Sequence, residues 1–299
     1  MRMQFVFTAF ASFTIRTRAL GVPANVKTFY NNAKAQGQCQ KPIKSGFHDY
    51  NHLTPKSTYT DWSYCGDHKD DWGIVYIQGK NGQFANMDID CDGVSREPNS
   101  GRCGHNPTDQ SVTAMRDTLR GYAITGLTDL DTYVHPYVVF GNSGTNPHNV
   151  PFDPRDVGVL PLSIMLIVTP TVMASLISLY MKNTCGIWGD TNGGERDASY
   201  VGEASLATGE LTFGAGVVNG TVSHEPNDVL YIAFTGPTAV PGRGGAAWAA
   251  NTKDRFAASI YQQCMAMAAR IQPAAASGGG GGGDTGDGSC SWAGHCVGE

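Results

Sequence analysis

The chain is short of charge. Only 16% of its 299 residues are Asp, Glu, Lys or Arg, and the net charge is -5. No basic stripe runs through it, which excludes the usual footprint of a nucleic-acid partner. No CxxC pair and no paired His/Cys ligand set appears, so a structural zinc site is not expected. There is no G-x-S-x-G elbow, which removes the usual signature of an α/β-hydrolase triad. No cofactor motif is visible, and no metal or cofactor is expected.

What the chain has in plenty is glycine, 38 residues of it, beside 41% hydrophobic and 10% aromatic residues. That combination suits a turn-rich, mainly β fold with a sizeable core. The stretch 1–19 reads as a signal peptide, with Arg2, an apolar run from Met3 to Ile15 and small residues after it. A secretory route agrees with eight cysteines. Cys91 with Cys103, and Cys39 with Cys65, are the expected bridges. Asn219-Gly220-Thr221 is a glycosylation sequon, meaningful if the chain is secreted.

Val26, Phe29, Tyr30 and Ala33 fall at helical spacing after Pro23, and Phe256, Ile260, Cys264, Met267 and Ile271 mark a second helix near the other end. A short helix is expected within 111–122. Between them lie short β-type runs, among them "WGIVYI" (72–77), "NMDIDCDG" (86–93, as an exposed-face strand), "HPYVVFGN" (135–142), "CGIWGD" (185–190) and "VLYIAF" (229–234). The body therefore spans 20–272. A Gly-rich linker (273–289) follows, then ten residues, 290–299, that look like the truncated start of a cysteine-rich extension. Residues 157–181 carry no charge, which is long enough for a membrane span; Pro161 and Pro170 argue instead for a buried strand over 160–168 followed by an insertion.

Two features carry candidate chemistry. Asp88, Asp90 and Asp92 alternate, so a strand would set all three on one face, where they need a cation or water. The spacing also opens a calcium loop, but its twelfth position is Asn99 rather than Glu. The three readings are a solvated acidic strand, a calcium site, or an acidic wall for a polyamine or amino-sugar polymer. The second feature is the pair Asp190 and Glu203, in "GIWGDTNGGERDASYVGEAS". Glycoside hydrolysis uses two carboxyl groups, one kept protonated by an apolar setting, and Trp188 would supply such a wall or a platform for a sugar. On spacing alone, Asp190 is equally a turn residue. His135 and Tyr137 are candidates for the same cleft, with structural roles the plainer reading; Trp248 reads first as core, and His224 and Asp228 as a turn.

The order of "NMDIDCDG", "HPYVVFGN", "PLSIM", "GIWGDTNGG", "GEASL" and "NDVLYIAFTG" resembles that in fungal chitosanases of glycoside hydrolase family 75, over about residues 22–270. The resemblance implies a secreted, endo-acting, inverting hydrolase of chitosan or glucosamine oligosaccharides, with Asp190 and Glu203 as its catalytic pair. Glu203 is assigned the general acid and Asp190 the base, with the reverse left open. Asp88, Asp90, Asp92, Trp188, His135, Tyr137 and Asn192 are the expected substrate-binding residues. The implied fold is mainly β (α+β), a six-stranded barrel-like core of which a double-psi arrangement is one form, with a helix near each end. A monomer without membrane span is expected. The chain departs from the family pattern at 169–184, "TPTVMASLISLYMKNT", longer and more apolar than the short cysteine-containing hairpin of the family. An insertion beside Asp190 would disturb the base, so a non-catalytic polysaccharide-binding protein or an inactive variant is the alternative.

Overall fold

A computed structural model describes residues 21–49, 61–94, 102–103, 112–143, 150–172, 179–193 and 199–273. The signal-like stretch, the linker, the cysteine-rich tail with Cys290 and Cys296, and Asn99 lie outside these residues. The elements in chain order are α1 (Ala24–Gln36), β1 (Pro42–Asp49), β2 (Trp62–Cys65), β3 (Ile74–Gln78), β4 (Ala85–Asp90), α2 (Arg116–Gly121), β5 (Tyr137–Ser143), β6 (Ile164–Val172), β7 (Leu179–Gly193), β8 (Tyr200–Val201), β9 (Glu203–Ser205), α3 (Leu206–Phe213), β10 (His224–Phe234), the single turn α4 (Gly242–Gly245) and α5 (Lys253–Ala268). Six strands pair in the order β4-β9-β5-β7-β6-β10, and a further β4–β10 pairing closes them into a ring. The remaining strands, β3, β2, β1 and β8, extend outward from β10.

Both long helices form where their periodic apolar residues predict. Val26, Phe29, Tyr30 and Ala33 of α1 are buried, as are Phe256, Ile260, Cys264 and Met267 of α5. Thr252 caps α5, its hydroxyl accepting from the Arg255 N–H. Disulfides join Cys39 to Cys65 and Cys91 to Cys103, as the sequence suggests, and Cys185 to Cys264, which it does not. This third bridge fastens β7, the strand of Asp190, to α5.

The uncharged stretch 157–181 divides between a 3-10 turn, β6 and the start of β7. No helix among the described residues is long and apolar enough to cross a membrane. The insertion lengthens the β6–β7 hairpin, whose register runs unbroken from Val172–Leu179 to Ile164–Ile187. Pro170 is tolerated because β10 pairs with β6 only from Met165 to Val168, leaving the N–H side of residue 170 without a ladder to serve. The outer pairs, Thr169–Lys182 to Val172–Leu179, lie at the end of the hairpin away from Asp190, which follows the Ile164–Ile187 end.

Candidate active site

The register places four residues in one row across four strands. Asp88 of β4 pairs with Glu203 of β9, Glu203 with Val139 of β5, and Val139 with Asp190 of β7. Residues directly opposite in neighbouring strands share a face. The two carboxylates named from the sequence therefore flank one buried valine, two strand steps apart, or roughly 9.5 Å between backbones.

Local chemistry explains why the motifs around them are spelled as they are. From Val138–Trp188 to Val139–Asp190, β5 advances one residue and β7 two, so Gly189 is the extra residue of a bulge. A Cβ on Gly189 would lie 2.5 Å from the Tyr137 Cβ and 2.6 Å from Leu130 Cδ1, so only glycine fits. The bulge turns Asp190 into the row and Trp188 to the other side. The Trp188 indole N–H then donates to the Asp190 backbone carbonyl at 2.8 Å. Ahead of Glu203, Gly202 holds φ at +91°, with the Asn86 side chain where a Cβ would sit. Just after it, Ser205 caps α3, accepting from the Thr208 N–H and also from the Tyr137 N–H. "GIWGD" and "GEAS" are thus a bulge and a capped strand end, each delivering one acid.

The two acids sit in different surroundings. Asp190 is 6% exposed. Burial, then the charge of Asp90, raise its pKa well above the usual carboxylate value, with Asp92 adding to the effect. The N–H groups of Ala114 and Thr191, each 2.8 Å from its Oδ1, oppose the shift without cancelling it. Glu203 is half-buried and accepts from the Asn192 amide at 2.9 Å.

Asp88, Asp90 and Asp92 are 8%, 7% and 8% exposed, which corrects the expectation of a solvated or exposed-face strand. β9 and β10 pair along the two edges of β4, and α3 packs against it. The calcium-loop pattern runs into residues 95–99, outside the described residues. Ligand atoms of Asp90, Asp92 and Asp190 come within 4.8 Å of one another, while the Asp88 carboxylate accepts from the Asn86 amide instead. Three buried acids this close must share a proton or hold a cation; their donor set, all carboxylate oxygen, suits a hard cation.

Three of the expected sugar contacts are buried. His135 is fully buried, its Nδ1 accepting from the Asp131 N–H and its Nε2 3.0 Å from the Trp248 carbonyl. Tyr137 is also fully buried, its hydroxyl donating to the Asp92 carbonyl. Trp188, 2% exposed, supports Asp190 rather than offering a platform. Trp248 is core, as expected. His224 and Asp228 lie in a bulge of β10 and bond each other at 2.7 Å. Ser205, Asn86 and the Ala114 N–H were missed; Ser205 and Ala114 act through hydrogen bonds to Tyr137 and Asp190, remote in sequence, and Asn86 bonds its near neighbour Asp88.

Comparison with known proteins identifies the family. The family model described as fungal chitosanase of glycosyl hydrolase group 75 matches residues 87–270. The chain belongs to this family. It is 39% identical over 244 residues to endo-chitosanase B of Aspergillus oryzae, covering 81% of this chain and 88% of that protein. It is 38% identical over 242 residues to an endo-chitosanase of Aspergillus fumigatus, with the same shares covered. As a family 75 member the chain is a glycoside hydrolase of the chitosanase type.

Proposed function

We propose that this family 75 chitosanase is a secreted endo-acting enzyme that cleaves the β-1,4 glucosaminidic bonds of chitosan with inversion, using Asp190 and Glu203. The observation that carries the proposal is the row Asp88–Glu203–Val139–Asp190. Inversion needs carboxyl groups about 6.5–9.5 Å apart, so that a water fits on the face opposite the leaving group. Two strand steps suit that separation better than the ~5 Å of a retaining pair.

The surroundings favour exchanging the roles expected from the sequence. Asp190, with its raised pKa, keeps a proton at mildly acid pH and serves as general acid. Glu203, which accepts from Asn192, is then left to activate the water. The buried acids around the pair suit a polycationic substrate. The signal-like stretch 1–19 and the three disulfides support secretion. We read the ring of six strands as the barrel-like core that holds the row.

The test is release of reducing ends from chitosan at mildly acid pH by the mature chain, beside Asp190→Asn and Glu203→Gln. Loss of general acid–base catalysis costs about 10²–10⁴-fold in rate, so both variants should fall by that much while melting as the parent does. A folded parent without activity would favour the non-catalytic binder. Of the stretch that first suggested that reading, residues 169–172 and 179–184 pair regularly in the β6–β7 hairpin.

A further inference from the structure

Asn219-Gly220-Thr221 has no part in the proposed reaction. It is the chain's only N-x-S/T triplet without a barring proline, since Asn106-Pro107-Thr108 carries one in the middle. The triplet sits between α3 and β10. Asn219 and Val222 exchange both backbone hydrogen bonds at 3.0 Å, so Gly220 and Thr221 form a two-residue turn. Phe213 and His224 stack across the base of this stretch, their ring centroids 4.2 Å apart. The Gly220 N–H donates to the Arg102 carbonyl at 2.7 Å, and a Cβ on Gly220 would lie 2.9 Å from the Cys103 carbonyl oxygen. The middle of the triplet is thus packed against the body of the chain, while Thr221 is exposed and Asn219 half-buried.

The Asn219 side chain is set by its own turn. Its Oδ1 accepts from the Thr221 N–H at 2.9 Å and from the Thr221 hydroxyl at 2.8 Å. The backbone donor fixes which end of the amide faces the turn, so Nδ2 is directed away from it. Among the described residues, Nδ2 donates no hydrogen bond. Beside it stand Val217 and Val222, 56% and 47% exposed, the two most exposed large apolar side chains of the described residues. Val222 lies directly opposite Asn219, where paired residues share a face. A single exposed valine is ordinary surface. Two of them on one turn, with an amide that the fold does not claim between them, leave an apolar spot with an attachment point at its centre.

We propose that Asn219 carries an N-linked glycan whose first sugars lie over Val217 and Val222. The inference rests on the secretion proposed above, because the donor is a lipid-diphosphate-linked oligosaccharide of the secretory route. In the transfer, Asn219 Nδ2 attacks the anomeric carbon of that oligosaccharide. The carbon–nitrogen bond forms and the bond from that carbon to the phosphate oxygen breaks. The lipid diphosphate leaves with the electron pair, and Nδ2 gives up one proton. A glycan is bulky and solubilising, so it needs a surface position. This turn supplies one, with the amide nitrogen open and apolar side chains beside it for the sugar rings to cover. The turn leans on Cys103, the partner of Cys91, rather than on Asp190 or Glu203, so the glycan shields the surface without entering the reaction.

The experiment expresses the full chain in a fungal host and maps position 219 by peptide mass spectrometry, before and after treatment with peptide N-glycosidase. Asn219→Gln, Thr221→Ala and Thr221→Ser accompany the parent. The expected result is a glycan on the secreted parent and on Thr221→Ser, and none on the other two. Cleavage of a glucosamine hexamer should match the parent in every variant. Both glycan-free variants, and the parent trimmed by the glycosidase after folding, should aggregate faster on heating. The trimmed parent carries the test should a variant fold poorly. A secreted parent with a bare Asn219 would overturn the site and leave secretion standing. A parent retained in the cytosol with a bare Asn219 would overturn both. A glycan at position 219 whose removal leaves aggregation unchanged would support the attachment and overturn the cover over Val217 and Val222.

Discussion

The two catalytic candidates differ in what surrounds them, and that difference is open to titration. Because Asp90 and Asp92 help hold the Asp190 proton, Asp90→Asn should let the Asp190 pKa fall. If Asp190 is the general acid, the alkaline limb of the pH–rate profile then moves to lower pH, with the acid limb in place. An acid limb that moves instead would give Asp190 the role of base. Asp49 makes a separate prediction for stability. Burial, with Asp88 and Glu225 adding to it, raises its pKa from 3.8 to about 7 despite the opposing bond from Asn227. A raised folded pKa means that the folded chain holds a proton the unfolded chain has released. Stability from this group is therefore fully present below pH 3.8 and is lost as pH rises toward 7. The loss reaches up to about 4 kcal/mol at 1.36 kcal/mol per unit. Denaturant melts of Asp49→Asn against the parent should show the variant gaining relative stability between pH 4 and 7; a difference independent of pH would contradict the burial argument.

Elements carry the next set of consequences. Cys185–Cys264 closes a loop 79 residues long between β7 and α5. Replacing both cysteines with serine should cost about 2–5 kcal/mol, read as a lower melting temperature, with β7 the strand most affected in hydrogen exchange. The lengthened hairpin makes the opposite prediction. Shortening it to a tight turn joining Val168 to Asn183, a paired position of the register, should leave activity within about twofold, since the paired stretch toward Ile187 and Asp190 is kept. A large loss would show that the insertion acts on the site after all. Much at this scale was legible in the sequence. Apolar periodicity gave both long helices, and cysteine spacing gave the two short-range bridges. The third bridge was hidden because its cysteines belong to elements that meet only in the folded chain. The exposed-face reading of "NMDIDCDG" failed for a related reason: alternation cannot reveal that α3 packs against β4 and that Asp88 and Asp90 are buried.

At the scale of the molecule, the site is a product of register. Asp190 and Glu203 are 13 positions apart in sequence, a spacing that carries no chemistry in itself, and it was the run of motifs that singled them out. Their common partner, Val139, has no local signal. Nor does Asp49, a single acid in "FHDY" whose surroundings come from β4 and the β10 bulge. The burial of His135 and Tyr137 was hidden because an aromatic or imidazole ring beside such a strand looks the same in sequence whether it faces the cleft or the core. The ring of strands decides this, burying both and leaving the acids in line.

The central claim is that two acids set two strand steps apart carry out a single displacement with water. The most direct measurement is proton NMR of the first reducing-end product released from a glucosamine hexamer, recorded before mutarotation. The account predicts the α-anomer from the β-linked substrate, with its appearance abolished in Asp190→Asn and in Glu203→Gln. Initial release of the β-anomer would contradict it, since retention requires the two carboxyl groups to sit about 5 Å apart.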